Sequence, residues 1–182
     1  MYRLDGTTLR IDTSCGSDCS VSYEITAPVG VAVHGELRSG EVALDGVGPT
    51  DVQVSSGDLV INNATGPVRA RATSGDVTVT NAKAAVTAQA TSGNVRATDV
   101  AGAVDVSASS GDVEVKLTTA NSVTARASSG DVTVIVPSGG YRILTGTDSD
   151  DVAVNGLTND ASSKYVLDVE ASSGDVTVTA AA

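Results

Sequence analysis

Five aspartates recur at the same place in a repeated motif along this chain: Asp58, Asp76, Asp112, Asp131 and Asp175. Each follows a Ser-Gly pair and precedes a branched apolar residue, as in Ser110-Gly111-Asp112-Val113. Carboxylates aligned by a repeat can ligate a hard cation, and nine-residue repeats rich in Gly and Asp hold calcium in this way. The period here, close to 18, is twice nine. The opposite halves of the repeats argue against calcium. They read Gly66-Pro67, Ala84-Ala85, Gly102-Ala103 and Asn121-Ser122, without an acid. One carboxylate per repeat falls short of the roughly six to eight oxygens of a calcium cage. A calcium-stabilised repeat is therefore the lesser reading, and no metal or other cofactor is assigned. The motif is expected to be a turn. Gly supplies positive φ, while Ser and Asp hydrogen-bond nearby backbone N–H groups. Asn94, a neutral isostere in one copy, favours hydrogen bonding over charge.

The other reactive side chains are few. His34 is the only histidine, in Val31-Ala32-Val33-His34, where alternation turns it outward. A Ser-His-Asp arrangement needs a His beside a nucleophile, so no catalytic residue is assigned and the chain is read as a non-enzyme. Cys15 and Cys19 enclose Gly16-Ser17-Asp18. That spacing suits a small disulfide-closed turn or two free thiols; a metal site would need two further ligands. Arg69, Arg71, Arg126 and Arg142 fall on outward positions, with Thr87, Gln89, Asp105, Ser107 and Thr124 among them. Cross-strand ion pairs are expected there, along with a polar face for an unknown protein or glycan. The outward positions of the other strands mix Thr78, Arg96, Glu114, Ile135 and Ala153, which is no regular threonine grid for ice.

These residues are carried by a repeat. Its turn glycines are Gly57, Gly75, Gly93, Gly111, Gly130 and Gly174, with Gly40 in a near-copy. From Gly40 to Gly130 the steps are 17, 18, 18, 18 and 19 residues. A degenerate copy, Ser149-Asp150-Asp151-Val152, lacks the glycine. A fixed period in this range marks a stacked repeat. Each period holds two alternating halves, such as Val77-Thr78-Val79-Thr80 and Ala85-Val86-Thr87-Ala88-Gln89-Ala90, the pattern of strands buried on one face. The inward positions are Val on one side and Val mixed with Ala on the other, and Val152 and Val154 are expected among them. The chain has no Phe, no Trp and only four Tyr, yet is 41% hydrophobic. Such a composition fills only a thin interior. The expected fold is all-β: a parallel β-helix or solenoid of about eight coils, two strands per coil, stacked in sequence at about 4.8 Å into a rod on the order of 35 Å long. An antiparallel sandwich is less suited to one Gly per two strands. Residues 1–182 form a single domain, with N-terminal capping strands and the Cys turn in 1–36 and the repeat array in 37–182. The insertion at 157–164 is expected to be a tolerant surface loop.

The net charge of −11 excludes a nucleic-acid binder, which needs a basic footprint. No apolar run reaches the ~18 residues of a membrane span, and no signal-peptide core is present. The chain is expected to be soluble, with a signal or anchor removed upstream remaining compatible with it.

The repeats, the lead-in Tyr23-Glu24-Ile25-Thr26-Ala27-Pro28-Val29-Gly30 and the stretch Val136-Pro137-Ser138-Gly139-Gly140-Tyr141-Arg142-Ile143 resemble a bacterial family of β-strand-repeat proteins named as adhesins. That family is related to the toastrack domains of envelope-stress systems. The resemblance runs from about Tyr2 to Thr179. It implies an all-β repeat fold without a known catalytic site, and an exported or lipid-anchored protein of the cell envelope. It also implies a Cys15–Cys19 disulfide. The adhesion or interaction role is the first expectation. A structural or sensory extracytoplasmic domain is the second.

Overall fold

In a computed structural model, residues 2–12, 21–147 and 151–181 are described. Cys15 and Cys19 lie outside them, as do Asp148, Ser149 and Asp150. An antiparallel hairpin opens the chain, β1 (Tyr2–Asp5) with β2 (Thr8–Ile11). The solenoid begins with β3 (Val33–Ser39) and β4 (Val42–Asp45). It continues through β5 (Thr50–Ser56), β6 (Leu59–Asn62), β7 (Val68–Ser74), β8 (Val77–Thr80), β9 (Val86–Ser92) and β10 (Val95–Val100). Next come β11 (Val104–Ser110), β12 (Val113–Leu117), β13 (Val123–Ser129) and β14 (Val132–Val136). The last part holds β15 (Gly140–Thr147), β16 (Val152–Asn155), β17 (Thr158–Asn159), β18 (Val166–Ser173) and β19 (Val176–Ala180). No described residue is helical, and no helix is long and apolar enough to cross a membrane.

Odd-numbered strands from β3 to β17, with β18, build a nine-stranded sheet, and even-numbered strands from β4 to β16, with β19, an eight-stranded sheet. Every pairing within both is parallel, so the fold is the solenoid and not the sandwich. The interior is thin, as Val and Ala require. Val77, Val79, Val95, Val113, Val115, Val132 and Val134 from one sheet face Val86, Ala88, Ala90, Val104, Val106 and Ala108 from the other, all buried.

The stacking order departs from the sequence order. Along the eight-stranded sheet, β14 is followed by β19 and only then by β16. In the other sheet β18 lies between β13 and β15. The coil formed by β18 and β19 has therefore slipped between β13–β14 and β15–β16. The degenerate copy is displaced to the end, which leaves Val152 and Val154 41% and 40% exposed instead of buried. The physical reason lies in the turn. Gly174 stacks on Gly130, where a Cβ would come nearer than 3.0 Å to the Gly130 carbonyl oxygen, and the degenerate copy has no glycine for that contact. The insertion at 157–164 is the path back. Its strand β17 pairs with the outer side of β15 before the chain returns to β18. It is a crossover with its own hydrogen bonds rather than a free loop. Tyr141, the largest fully buried side chain, fills this irregular end. Its hydroxyl donates to the Pro137 carbonyl (2.9 Å), and its ring lies 6.3 Å from that of Tyr165.

Candidate functional site

The turn column is bonded between coils and not within them. The Asp76 N–H donates to Asp58 Oδ1 (2.9 Å), that of Asn94 to Asp76 Oδ1 (2.7 Å), and that of Asp112 to Asn94 Oδ1 (2.9 Å). The ladder continues from Asp131 N–H to Asp112 Oδ1 and from Asp175 N–H to Asp131 Oδ1, both 2.9 Å. The Asp151 N–H reaches Asp175 Oδ1 at 3.4 Å. The expected local Asx turn is thus replaced by a side-chain rung joining each layer to the next. The turn glycines Gly57, Gly75, Gly93, Gly111, Gly130 and Gly174 have φ between 125° and 140°. Each sits against the carbonyl of the preceding glycine in the stack, nearer than a Cβ permits. Among the described residues no three His, Cys, Asp or Glu side chains converge to hold a metal ion.

A second column lies at the opposite corner. Asn63, Asn81 and Asp99 all adopt positive φ, between 55° and 57°. Asn81 Nδ2 donates to Asn63 Oδ1, and Asn63 Nδ2 to Asp45 Oδ1, both at 2.6 Å. The 18-residue step from Asn63 to Asn81 is the sequence signal of this column, a weak one because the flanking copies carry Asp45 and Asp99 instead of Asn.

The outer face of the nine-stranded sheet sorts its side chains by register. One row runs His34, Asp51, Arg69, Thr87, Asp105, Thr124 and Asp168. The next runs Glu36, Gln53, Arg71, Gln89, Ser107, Arg126 and Glu170. Arg126 bonds Asp168 and, at 3.0 Å, Glu170. These partners raise its pKa above the ordinary guanidinium value, the Glu170 hydrogen bond first, against partial desolvation. Arg71 lies 3.9 Å from Asp51 and its Nε donates to Gln89 (3.3 Å). Arg69 and Arg142 are exposed, and neither makes an ion pair among the described residues. Arg142 sits opposite Val166, one outward step away from the row of Asp168. The four arginines therefore do not form one patch. Sequence spacing does not bring Asp168 and Glu170 beside Arg126, because the coil carrying them stacks out of order, 42 and 44 residues away.

Depressions among the described residues adjoin these rows and the turn ladder. One, of about 550 Å³, is lined by His34, Thr50, Asp51, Arg69 and Thr87. His34 is largely exposed, and its Nδ1 is 4.0 Å from Asp51 Oδ2. Another, of about 570 Å³, runs along the turn ladder past Asp76, Asn94, Asp112 and Asp131 to Arg96 and Glu114. Arg96 and Glu114 pair at 3.0 Å.

No curated protein and no solved structure is detectably similar to the chain. The sequence profile of the family described as Toastrack DUF4097 matches it twice, over residues 7–100 and 86–179. Together the two matches span nearly all of the solenoid, and the chain belongs to the Toastrack DUF4097 family.

Proposed function

We propose that the chain is a non-enzymatic interaction module of the bacterial cell envelope, with its contact surfaces on the arginine-bearing sheet face and the end coils. The observation that carries this reading is the outer face itself. It presents Arg, Asp, Glu, Gln and Thr in parallel register at fixed steps. Polar side chains presented in register suit an extended polar partner, a glycan or a protein strand, more than a small substrate needing enclosure. His34 has Asp51 as its one ion-pair partner among the described residues, which offers little to acid–base chemistry. A screen of the chain against bacterial surface glycans and envelope extracts tests the reading. Binding lost in Arg71→Glu and Arg126→Glu variants with unchanged melting supports it, and no binding in any condition counts against it.

A structural or sensory role is the second reading, favoured by the two sheets running as one stack from β3 to β16. A rod of this kind separates what is attached at its two ends. Fractionation of the protein with its native flanking sequence tests the envelope assignment common to both readings, and recovery in the cytosol alone would sink it.

A further inference from the structure

The two edges of the nine-stranded sheet are finished differently. At the β15 end the outward main-chain groups are largely taken. Thr158 N–H donates to Gly139 O (3.3 Å), Asp160 N–H to Tyr141 O (2.8 Å) and Ser163 Oγ to Gly140 O (2.9 Å). Ile143 N–H donates to Asn159 Oδ1 (3.2 Å). At the other end β3 and β4 close their sheets with no strand beyond them among the described residues. Val33 N–H and Val42 N–H point to the next layer, bonding Pro49 O and Asp58 O. By the alternation of a parallel ladder, His34, Glu36 and Ala43 then direct N–H and C=O outward.

The core is open at this end as well. Val33, Leu37, Val42 and Leu44 are only partly buried, whereas Val54, Leu59 and Ile61 in the adjoining layer are wholly so. Gly40 heads the glycine column, and a Cβ placed there would meet nothing within 4 Å. Every later member has its neighbour's carbonyl in that space. Such an edge is a template for another strand. On its solvent side β3 carries Glu36 and Arg38, both exposed and neither in an ion pair among the described residues. Opposite charges two residues apart on one face are self-complementary when a strand meets its own copy antiparallel.

We propose that the outer edge of β3 and β4 is a self-association surface on which a second copy of this chain docks. The two copies meet edge to edge about a two-fold axis, β3 antiparallel to its mate. Glu36 of each chain lies opposite Arg38 of the other, and Leu37 faces Leu37 on the core side. Directly opposed unlike charges favour this register, and like charges would oppose it. The arrangement closes on itself, giving a dimer and not a filament. Head-to-tail stacking would instead set β3 against the covered β15 edge, leaving only β4 to meet the uncovered edge of β16. The inference is independent of any glycan or envelope partner.

Sedimentation velocity over micromolar concentrations tests it. The wild-type chain is expected at twice the monomer mass. Glu36→Arg and Arg38→Glu should each sediment as folded monomers, with circular dichroism and melting unchanged. An equimolar mixture of the two should regain the dimer, because each then meets its opposite charge. A wild-type monomer at every concentration overturns the proposal, as do open-ended oligomers or single variants that still dimerise. If a variant fails to fold, hydrogen exchange of the wild type at two concentrations decides. Protection at His34, Glu36 and Ala43 must rise with concentration, and unchanged exchange there overturns the proposal.

Discussion

At the level of single residues, each part of the Ser-Gly-Asp turn has a separable cost. Asp112 Oδ1 accepts the Asp131 N–H, and that role needs an oxygen rather than a charge. Asp112→Asn is expected to change stability by less than about 0.5 kcal/mol, as Asn94 already fills the same place one layer below. Asp112→Ala removes a rung and is expected to cost about 1 kcal/mol in urea denaturation. Equal losses for Asn and Ala would show that charge, not hydrogen bonding, matters. The glycines separate in the same way. Gly40 and Gly111 share a positive φ, at 119° and 135°, so Ala at either carries a backbone cost of about 1–3 kcal/mol. Only Gly111 also abuts the carbonyl of Gly93. Gly111→Ala should therefore lose a further ~1–3 kcal/mol through forced separation of layers. Comparable midpoints for the two variants would refute the stacking argument. The serines of the turn differ from the hydrogen-bonding role expected of them. Ser56, Ser74, Ser92, Ser110 and Ser129 are exposed, and their hydroxyls make no hydrogen bond among the described residues, so the expected local bond is not what places serine there.

At the level of strands and coils, the inserted layer makes a prediction that sequential stacking would reverse. β19 is paired on both sides, by β14 and β16, although it lies near the end of the described chain. Among the described residues β16 is paired on one side only. Native-state hydrogen exchange should therefore be slow in Val176–Ala180 and fast in Val152–Asn155, because protection follows local burial and pairing. Fast exchange in β19 with a protected β16 would restore the sequential order. Tyr141 seals the same region, and burial, with a smaller contribution from Tyr165, raises its hydroxyl pKa above the ordinary 10.0. A folded-state pKa above the unfolded one gives stability that is intact below about pH 10 and lost as pH rises through the shifted value. Tyr141→Phe should flatten that alkaline loss while costing about 1 kcal/mol at neutral pH for the bond to Pro137. Strand identity, inward residues and turn positions were legible here because alternation and glycine spacing are local signals. Coil order was not. It depends on which turn can stack on Gly130, a comparison between Asp150 and Gly174 across 24 residues that no local pattern expresses.

For the molecule as a whole, the open question is how a chain of net charge −11 tolerates a column of carboxylates. Layers about 4.8 Å apart place neighbouring acids well inside the Debye length of about 10 Å at ~0.1 M salt. Each rung engages one carboxylate oxygen with a backbone N–H, which offsets part of the repulsion and leaves the other oxygen to solvent and counter-ions. Diffuse screening and specific ligation make different predictions from the same column. Under screening, raising NaCl should lift the melting temperature by a few degrees, the scale of ~1 kcal/mol in a chain of this size. Magnesium and calcium chlorides at matched ionic strength should then give superimposable curves, and a chelator should change nothing. Under ligation, calcium would stabilise beyond magnesium, since it accepts the larger and more irregular oxygen shells a flexible column could offer. The geometry favours screening, because no three acidic or imidazole groups converge among the described residues. Substituting Asp76 and Asp112 together by Asn keeps every rung and removes two charges. In that variant the salt dependence should shrink while the low-salt melting temperature rises. A calcium-specific shift in the wild-type chain, lost in the double variant, would instead make the turn ladder a cation site.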